Sequence, residues 1–99
     1  MATNVNRLGL HARVSELDSL RYTPAGVPAL DLRLEHASEL FEAGENRRVN
    51  LLIKAVAFGA LAERLRSQTA SCSGSFSGFL ANVRNSKAVV FHIQEFLQD

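Results

Sequence analysis

Apolar and polar residues alternate one for one through several parts of this 99-residue chain, and that alternation restricts the folds open to it. A period of two places successive side chains on opposite faces of a β-strand. The segments that follow the pattern are residues 8–14, 30–36, 47–58, 70–83 and 88–97. We therefore predict five strands, each with one face toward a core.

Three other segments interrupt the alternation. Residues 59–68 are rich in alanine, leucine and glutamate, which favour a short helix of about two or three turns. Residues 38–46 are polar and acidic and predict an exposed connection. In residues 22–28, Pro24 pre-sets φ and Gly26 can supply the positive φ of a type II turn, so this segment predicts a turn.

The order of these elements favours one small barrel. Three strands, a short helix and two further strands follow the order of an OB barrel. An SH3-like barrel is the alternative, but it normally lacks a helix between its third and fourth strands. Gly9, Gly74 and Gly78 fit barrel strands that bend sharply. The sequence thus predicts one all-β domain over residues 1–99: a five-stranded OB-fold barrel with a helix between strands 3 and 4.

Composition narrows the class of protein. Hydrophobic residues make up 46% of the chain, enough for a core, although so short a chain gains stability from pairing with a second copy. The single cysteine, Cys72, excludes an internal disulfide and a typical zinc knuckle. The polar start and the lack of a long apolar run lead us to expect a soluble cytoplasmic protein with no membrane segment.

Residues suited to catalysis are scattered. His11, His36 and His92 have no short metal-ligand spacing, and a site joining them with Cys72 would have to gather four distant positions. Cys72 lies on the apolar phase of its strand, where a thiol is inert unless a base lowers its pKa. We expect no enzyme, no metal and no cofactor. A small hydrolase or metal enzyme stays as an alternative that stoichiometric zinc in the purified protein would revive.

Charge is distributed unevenly. From Arg47 onward there are seven basic residues against three acidic ones, whereas the earlier part has four basic against seven acidic. Such a distribution suits an anionic partner. The candidate cations are Arg47 at the start of the third strand, Lys54 on its outward phase, and Arg84 and Lys87 beside a hairpin tip, positions that lie near the ligand-binding side of an OB barrel.

One aromatic residue joins these cations. If Phe76 points inward, the period of two points Phe79 outward among small serines, where a nucleic-acid base could stack on it. Covering a barrel end or a contact between two copies is an equally good explanation of Phe79. Both explanations stay open at this point.

Residues 21–28 (Arg-Tyr-Thr-Pro-Ala-Gly-Val-Pro) and 32–36 (Leu-Arg-Leu-Glu-His) resemble the PriB family of primosomal replication proteins. The resemblance implies a homodimer of OB folds that binds single-stranded DNA with little sequence preference. It also implies a place in replication restart beside a PriA-type helicase, and beside DnaT where that protein exists. Carried over by position, the implied DNA contacts are Arg21, Arg47, Phe79 and Lys87, with Arg84 as an approximate match.

Two departures weaken this expectation. Family members from enteric bacteria have a tryptophan where this chain has Asn50, and the chain contains no tryptophan. The hairpin tip at residues 83–86 is also shorter and has fewer lysines. Losing one base stack costs about 1–3 kcal/mol, so we expect weaker binding to single strands. The alternative hypothesis is a dimeric adaptor that stimulates the helicase with little DNA affinity of its own.

Overall fold

Six strands and one helix make up the part of the chain that the computed structural model describes, residues 4–67 and 72–99. The elements are β1 (Leu8–Leu17), β2 (Arg21–Tyr22), β3 (Pro28–Glu42), β4 (Glu45–Phe58), α1 (Ala60–Arg66), β5 (Ser73–Asn82) and β6 (Val89–Gln98). No helix within these two ranges is long and apolar enough to cross a membrane. The ends of the predicted helix and fourth strand, Gln68 and residues 70–71, lie outside the described residues.

The five long strands close into a barrel. They follow the order β1-β5-β6-β4-β3, and β3 pairs back to β1. All neighbours are antiparallel except β4 and β6, which run parallel. The short β2 only adds to the start of β3. Since α1 lies between β4 and β5, the third and fourth barrel strands, the predicted OB-fold is confirmed.

The core is formed by the inward phase of each strand, and α1 packs against it. The largest fully buried side chains are Phe76, Phe91, Phe96, Leu30, Leu34, Leu65 and Val14. Ala62 and Leu65 are the buried residues of α1. Arg64 also belongs to this junction: it donates to the Phe96 carbonyl at 2.6 Å and lies 5.6 Å from the centre of that ring. Its guanidinium therefore joins the helix to β6.

Two glycines let β5 and β6 approach closely. A Cβ on Gly78 would collide with the His92 carbonyl, and one on Gly74 would collide with the Leu97 carbonyl. The register shifts beside Gly78, where Gln94 has no partner across the ladder and forms a bulge. A residue with a side chain would push the strands apart at these points. A Cβ on Gly9 would meet no atom within 4 Å, so Gly9 is not needed for a close approach of strands.

Residues 38–46 are mostly paired strand, not the exposed connection that the sequence predicts. β3 and β4 pair from Ala29–Phe58 to Glu42–Glu45, and only two residues join them. Ala43 and Gly44 both have positive φ, 52° and 83°, as a type I′ turn requires. The prediction was wrong because side chains at the hairpin end are exposed on both faces, so no period of two marks them as a strand.

The turn before β3 is present but differs in type. Gly26 has a φ of 84°, and its N–H donates to the Thr23 carbonyl at 2.8 Å. Pro24 and Ala25 are therefore the central residues, and Ala25 lacks the positive φ that a type II turn requires there. Gly26 instead follows the turn, as in a hairpin with a glycine bulge, so the type II prediction was wrong.

Candidate nucleic-acid interface

The candidate side chains of the middle strands project from one surface, which we call the outer face: the side of β3, β4, β6 and β5 directed away from the core. Ala55 and Ala57 are buried, so Lys54 and Phe58 point outward from β4. The parallel pairing sets Val56 beside His92 of β6. Register across these strands therefore decides which outward side chains meet.

Lys54 lies at a groove in the outer face. The groove has a volume of about 350 Å³. Its lining consists of Asp18, Asp31, Leu32, Arg33, Lys54, Ala55, Val83 and Val90. Arg33 is the cross-strand neighbour of Lys54 but bonds Glu16 at 3.1 Å. Within the described ranges Lys54 has no carboxylate partner, so its ammonium is available to an anion.

Arg84 and Lys87 lie in the hairpin that leaves this groove at Val83. Ser86 donates its N–H to the Val83 carbonyl at 3.0 Å, and Asn85 has a φ of 60°. Asn82 donates to the Lys87 carbonyl at 3.0 Å, which holds the returning chain. Both cations are exposed and, in residues 4–67 and 72–99, neither has an ionic partner. The structure thus brings Lys54, Arg84 and Lys87 to one side of the barrel.

Arg21 lies beside the same groove, but it is paired with a carboxylate that lines the groove. Its guanidinium donates to both oxygens of Asp31, from Nε at 2.7 Å and from Nη2 at 3.1 Å. The hydrogen bond to Asp31 raises the pKa of Arg21 above its ordinary value. Because Asp31 lines the groove, Arg21 offsets part of the negative charge at one edge of it.

Arg47 is separated from that group. It lies opposite Leu40 on β3 and bonds Glu42 through Nε at 3.2 Å. Arg47 and Lys54 are seven positions apart in the sequence. Because that spacing is odd, the two point to opposite faces of β4, about 23 Å apart along the strand. The structure does not bring Arg47 together with Lys54, although both lie on the same predicted strand.

Phe79 belongs to a row of three rings on the outer face, which we call the aromatic ladder: Phe58, His92 and Phe79. Phe79 stacks on His92 at 4.7 Å between ring centres and 11° between planes. His92 stacks on Phe58 at 5.9 Å and 25°. Phe76 is buried, as predicted, and Phe79 is outward and half-buried. Phe79 therefore points away from the core, as predicted.

Sequence reasoning missed Phe58 and His92. Phe58 follows Lys54 at an even spacing, a signal that it shares the outward phase. No sequence signal places it near His92, because their contact depends on the parallel pairing of β4 with β6.

Asn50 occupies open surface on the hairpin. It faces outward from β4 opposite Ala37, and both residues are exposed. Asn50 itself offers no ring for stacking at the position where enteric family members have a tryptophan. The aromatic ladder lies farther along β4, at its carboxyl end.

The other histidines make separate contacts. His36 bonds the His11 carbonyl at 2.6 Å and Ser38 Oγ at 2.9 Å. His11 Nε2 lies 2.9 Å from Asp99, and Ser73 donates to the same carboxylate at 2.9 Å. The hydrogen bond from His11, then that from Ser73, lowers the pKa of Asp99 below its ordinary value. Across the described chain, no cluster of three histidine, cysteine or carboxylate residues could hold a metal ion.

Comparison with known proteins places this chain in a family. A family model described as "Another single-strand binding protein family" matches residues 6–95. The replication restart protein PriB of Bordetella pertussis is 48% identical over 92 residues, which cover 92% of this chain and 86% of that protein. The chain belongs to the PriB family. The resemblance found in the sequence is thereby confirmed.

Solved structures agree with this assignment. PriB from Ralstonia solanacearum superposes with a TM-score of 0.88 at 37% identity, over 96% of this chain and 98% of that chain. The single-stranded DNA binding protein from Thermus aquaticus superposes with a TM-score of 0.77 at 21% identity, over 98% of this chain and 51% of that one. At that identity the second likeness concerns the fold alone.

Proposed function

We propose that this protein binds single-stranded DNA in replication restart and that the DNA crosses the outer face beside the groove. The observation that carries the proposal is that Lys54 lines the groove while Arg84 and Lys87 lie in the hairpin that follows its lining residue Val83. In the described ranges none of these three cations has a carboxylate partner. The name of the Bordetella relative, a replication restart protein, supports the same function.

The chemistry of the surface suits a single strand. Unpaired cations attract the phosphate backbone and release its counterions. Ring faces bind bases of any sequence, since every base has a π-face. The nearby aromatic ladder supplies rings, so cations and rings lie on one surface. This combination supports a binding protein rather than an enzyme.

Carboxylates limit the affinity we expect. Asp18 and Asp31 also line the groove, and Asp31 is only partly neutralised by Arg21, because both side chains are about half exposed. Phosphates entering the groove meet both signs of charge. We therefore propose a weak, salt-sensitive interaction.

Charge removal around the groove tests this proposal. We expect Lys54→Ala, Arg84→Ala and Lys87→Ala each to weaken oligo-dT binding in fluorescence anisotropy. Each substitution that frees one phosphate should make the slope of log K against log salt shallower by about 0.7. Arg66→Ala removes an exposed cation from α1, outside the groove lining, and serves as the matched control. Wild-type affinity and slope in all three groove variants would refute the proposal.

We also propose that the protein is a homodimer. β1 pairs with β5 through residues 8–13, but β3 covers its other edge only from Arg13 onward. A depression of about 540 Å³ lies between this edge and the β3–β4 hairpin, with Leu51 in its lining. A second copy could add its own β1 here and cover the apolar surface.

Sedimentation tests the dimer. We expect Leu51→Glu to convert the dimer to monomer in analytical ultracentrifugation, because burying a carboxylate at an apolar contact is unfavourable. Leu97→Glu, at an exposed leucine outside this depression, is the control. A monomeric wild-type protein at high concentration would contradict the proposal.

A dimeric adaptor for a PriA-type helicase, with DnaT as a further partner where it exists, is the second candidate function. Ion pairing favours it: in the described chain, five arginines pair with carboxylates. These are Arg13, Arg21, Arg33, Arg47 and Arg48. Helicase assays on the triple variant of Lys54, Arg84 and Lys87 separate the two functions. Full stimulation by this variant favours the adaptor, and abolished stimulation favours DNA binding.

A further inference from the structure

His36 lines the depression that a second copy would cover, and it lies opposite Leu51 on β4. Its ring is held on two sides: Nδ1 is 2.6 Å from the His11 carbonyl, and Nε2 is 2.9 Å from Ser38 Oγ. A carbonyl can only accept a hydrogen bond, so Nδ1 carries a hydrogen and donates it. In the neutral ring, Nε2 then accepts the hydrogen of the Ser38 hydroxyl. These contacts fix the orientation and the tautomer of His36.

The same contacts place His36 at the uncovered edge of β1. β1 pairs with β5 through residues 8–13, and β3 covers the other edge only from Arg13 onward. Glu35 is the β3 partner of Arg13, and His36 is the next residue along β3. The His36 ring bonds the carbonyl of His11, two residues before Arg13. It therefore lies where the covered part of this edge ends and the uncovered part begins.

The charges around the depression distinguish His36 from its neighbours. Of the described residues that line it, His11, Arg13, Glu35 and His36 are charged or titratable, and β4 and β5 contribute uncharged residues to this lining. Arg13 and Glu35 form an ion pair at 2.7 Å, so each offsets the charge of the other. His11 lies 2.9 Å from the Asp99 carboxylate, which would compensate a proton on its ring. His36 bonds only an uncharged carbonyl and a hydroxyl, and in residues 4–67 and 72–99 no carboxylate lies within ion-pair distance of it.

We propose that His36 makes the self-association of this protein depend on pH, because a second copy covers the depression only while the His36 ring is neutral. This inference rests on the proposed homodimer and adds its regulation. In the separate chain His36 is half-buried beside an open depression, so water can solvate a protonated ring. In the dimer the second copy removes that water, and the carbonyl and hydroxyl that bind the ring carry no negative charge. Burying the imidazolium is therefore unfavourable, and acid favours the monomer.

The sign and the size of this effect follow from proton linkage. Histidine in water takes up its proton at about pH 6.5, and the dimer binds fewer protons than two separate chains. Association is therefore strongest above this pH and weakens as pH falls through it. With one excluded proton per copy, the dissociation constant should be about a hundredfold higher at pH 5.5 than at pH 7.5. Asp99 stays ionised over this range, because hydrogen bonds from His11 and Ser73 lower its pKa.

Sedimentation of the wild type and of two histidine variants at these two pH values tests the proposal. His36→Asn places an amide nitrogen where Nδ1 stands, so it keeps a donor for the His11 carbonyl but takes up no proton. We expect the ratio of its two dissociation constants to fall to about one. His11→Gln is the matched control, because it removes the other imidazole of the lining and keeps a donor toward Asp99. It should retain the wild-type ratio, and thermal unfolding at both pH values checks that the barrel is intact.

Calorimetry gives a second measurement that needs no variant. Dilution of the wild-type dimer at about pH 6.0, in two buffers of different ionisation enthalpy, gives the number of protons that each dimer takes up as it dissociates. We expect about 1.5 protons, since a solvated histidine is about three-quarters protonated at this pH. Dissociation without proton uptake would overturn the proposal.

The outcomes separate this inference from the proposed homodimer. If the wild type is a dimer with equal dissociation constants at the two pH values, the pH dependence is refuted and the homodimer stands. If His36→Asn keeps the wild-type ratio, another group is responsible and the role of His36 is refuted. A wild type that stays monomeric at high concentration even at the higher pH refutes both proposals.

Discussion

Gly78 shows how much one residue decides on the outer face. Its lack of a side chain allows the His92 carbonyl to approach, and the neighbouring residues Phe79 and His92 then stack at 4.7 Å. The close approach of β5 and β6 is thus a condition for the aromatic ladder. The sequence predicts a sharp bend at this glycine but not the ring contact that depends on it.

Gly78→Ala should destabilise the protein by about 1–3 kcal/mol, because backbone must move to admit a Cβ. Urea unfolding followed by circular dichroism measures the change. Gly9→Ala is the matched control, since no atom lies within 4 Å of the added carbon, and we expect it to be nearly neutral. Equal unfolding midpoints for the two variants would show that β6 can yield at this point.

Asp99 gives a pH-dependent contact. Hydrogen bonds from His11 and Ser73 lower the pKa of Asp99 below its ordinary 3.8. The contribution of the ionised carboxylate to stability is therefore present above about pH 4 and is lost as pH falls through the lower, folded-state pKa. Ser73→Ala should raise the pKa of Asp99, measured by the NMR titration of its carboxyl carbon. An unchanged midpoint would mean that Ser73 does not hold this group.

At the residue scale, sequence patterns fail to predict which charged side chains pair with each other. The period of two correctly orients Phe76, Lys54 and Phe79. It cannot find Arg21–Asp31 or His11–Asp99, because these contacts depend on register between paired strands and on where the chain end lies. The candidate cations could therefore be named, but not divided into paired and unpaired ones.

At the scale of elements, the β3–β4 hairpin departs most from expectation. Both faces of its distal part are exposed to solvent. Residues 38–46 can therefore be polar throughout, and their composition resembles that of a loop. Pairing is maintained by the backbone ladder, and exposed cross-strand ion pairs such as Arg48–Glu39 at 4.0 Å add little to it. The central barrel strands, by contrast, bury alternate residues, and for that reason their positions were predictable.

The turn of this hairpin is a site for stabilisation. Ala43 has a φ of 52°, a conformation that costs alanine about 1 kcal/mol and that asparagine tolerates better. Ala43→Asn should stabilise the protein by about 0.5–1 kcal/mol in urea unfolding. Ala37→Asn, in the middle of β3, should instead be slightly destabilising, since asparagine is unfavourable in strands. Stabilisation by both substitutions would exclude the turn as the cause.

At the scale of the molecule, ion pairing rather than net charge decides how the surface meets an anion. The formal net charge is only +1, yet unpaired cations of the described chain lie at the groove and on the adjoining hairpin. Composition showed the excess of basic residues in the second half. It could not show that Arg47 and Arg48 there are paired while Lys54 is not.

The salt dependence of oligo-dT binding tests whether only the cations without carboxylate partners contact phosphates. Lys54 at the groove, with Arg84 and Lys87 on the adjoining hairpin, predicts a slope of log K against log salt of about −2. A slope of about −5 or steeper would contradict this expectation, because it would require the paired arginines to leave their carboxylates for phosphates. Anisotropy titrations over a range of potassium chloride concentrations give this slope directly.

The exposed position of Asn50 has a spectroscopic consequence. The chain contains no tryptophan, so light absorbed selectively by indole excites nothing in the native protein. Asn50 and Ala37 are both exposed on the hairpin and line the depression proposed for the second copy, so a larger side chain there displaces no part of the barrel core. Asn50→Trp would therefore install a single fluorophore against a dark background, and a change in its emission would report when a second copy or a nucleobase reaches the hairpin.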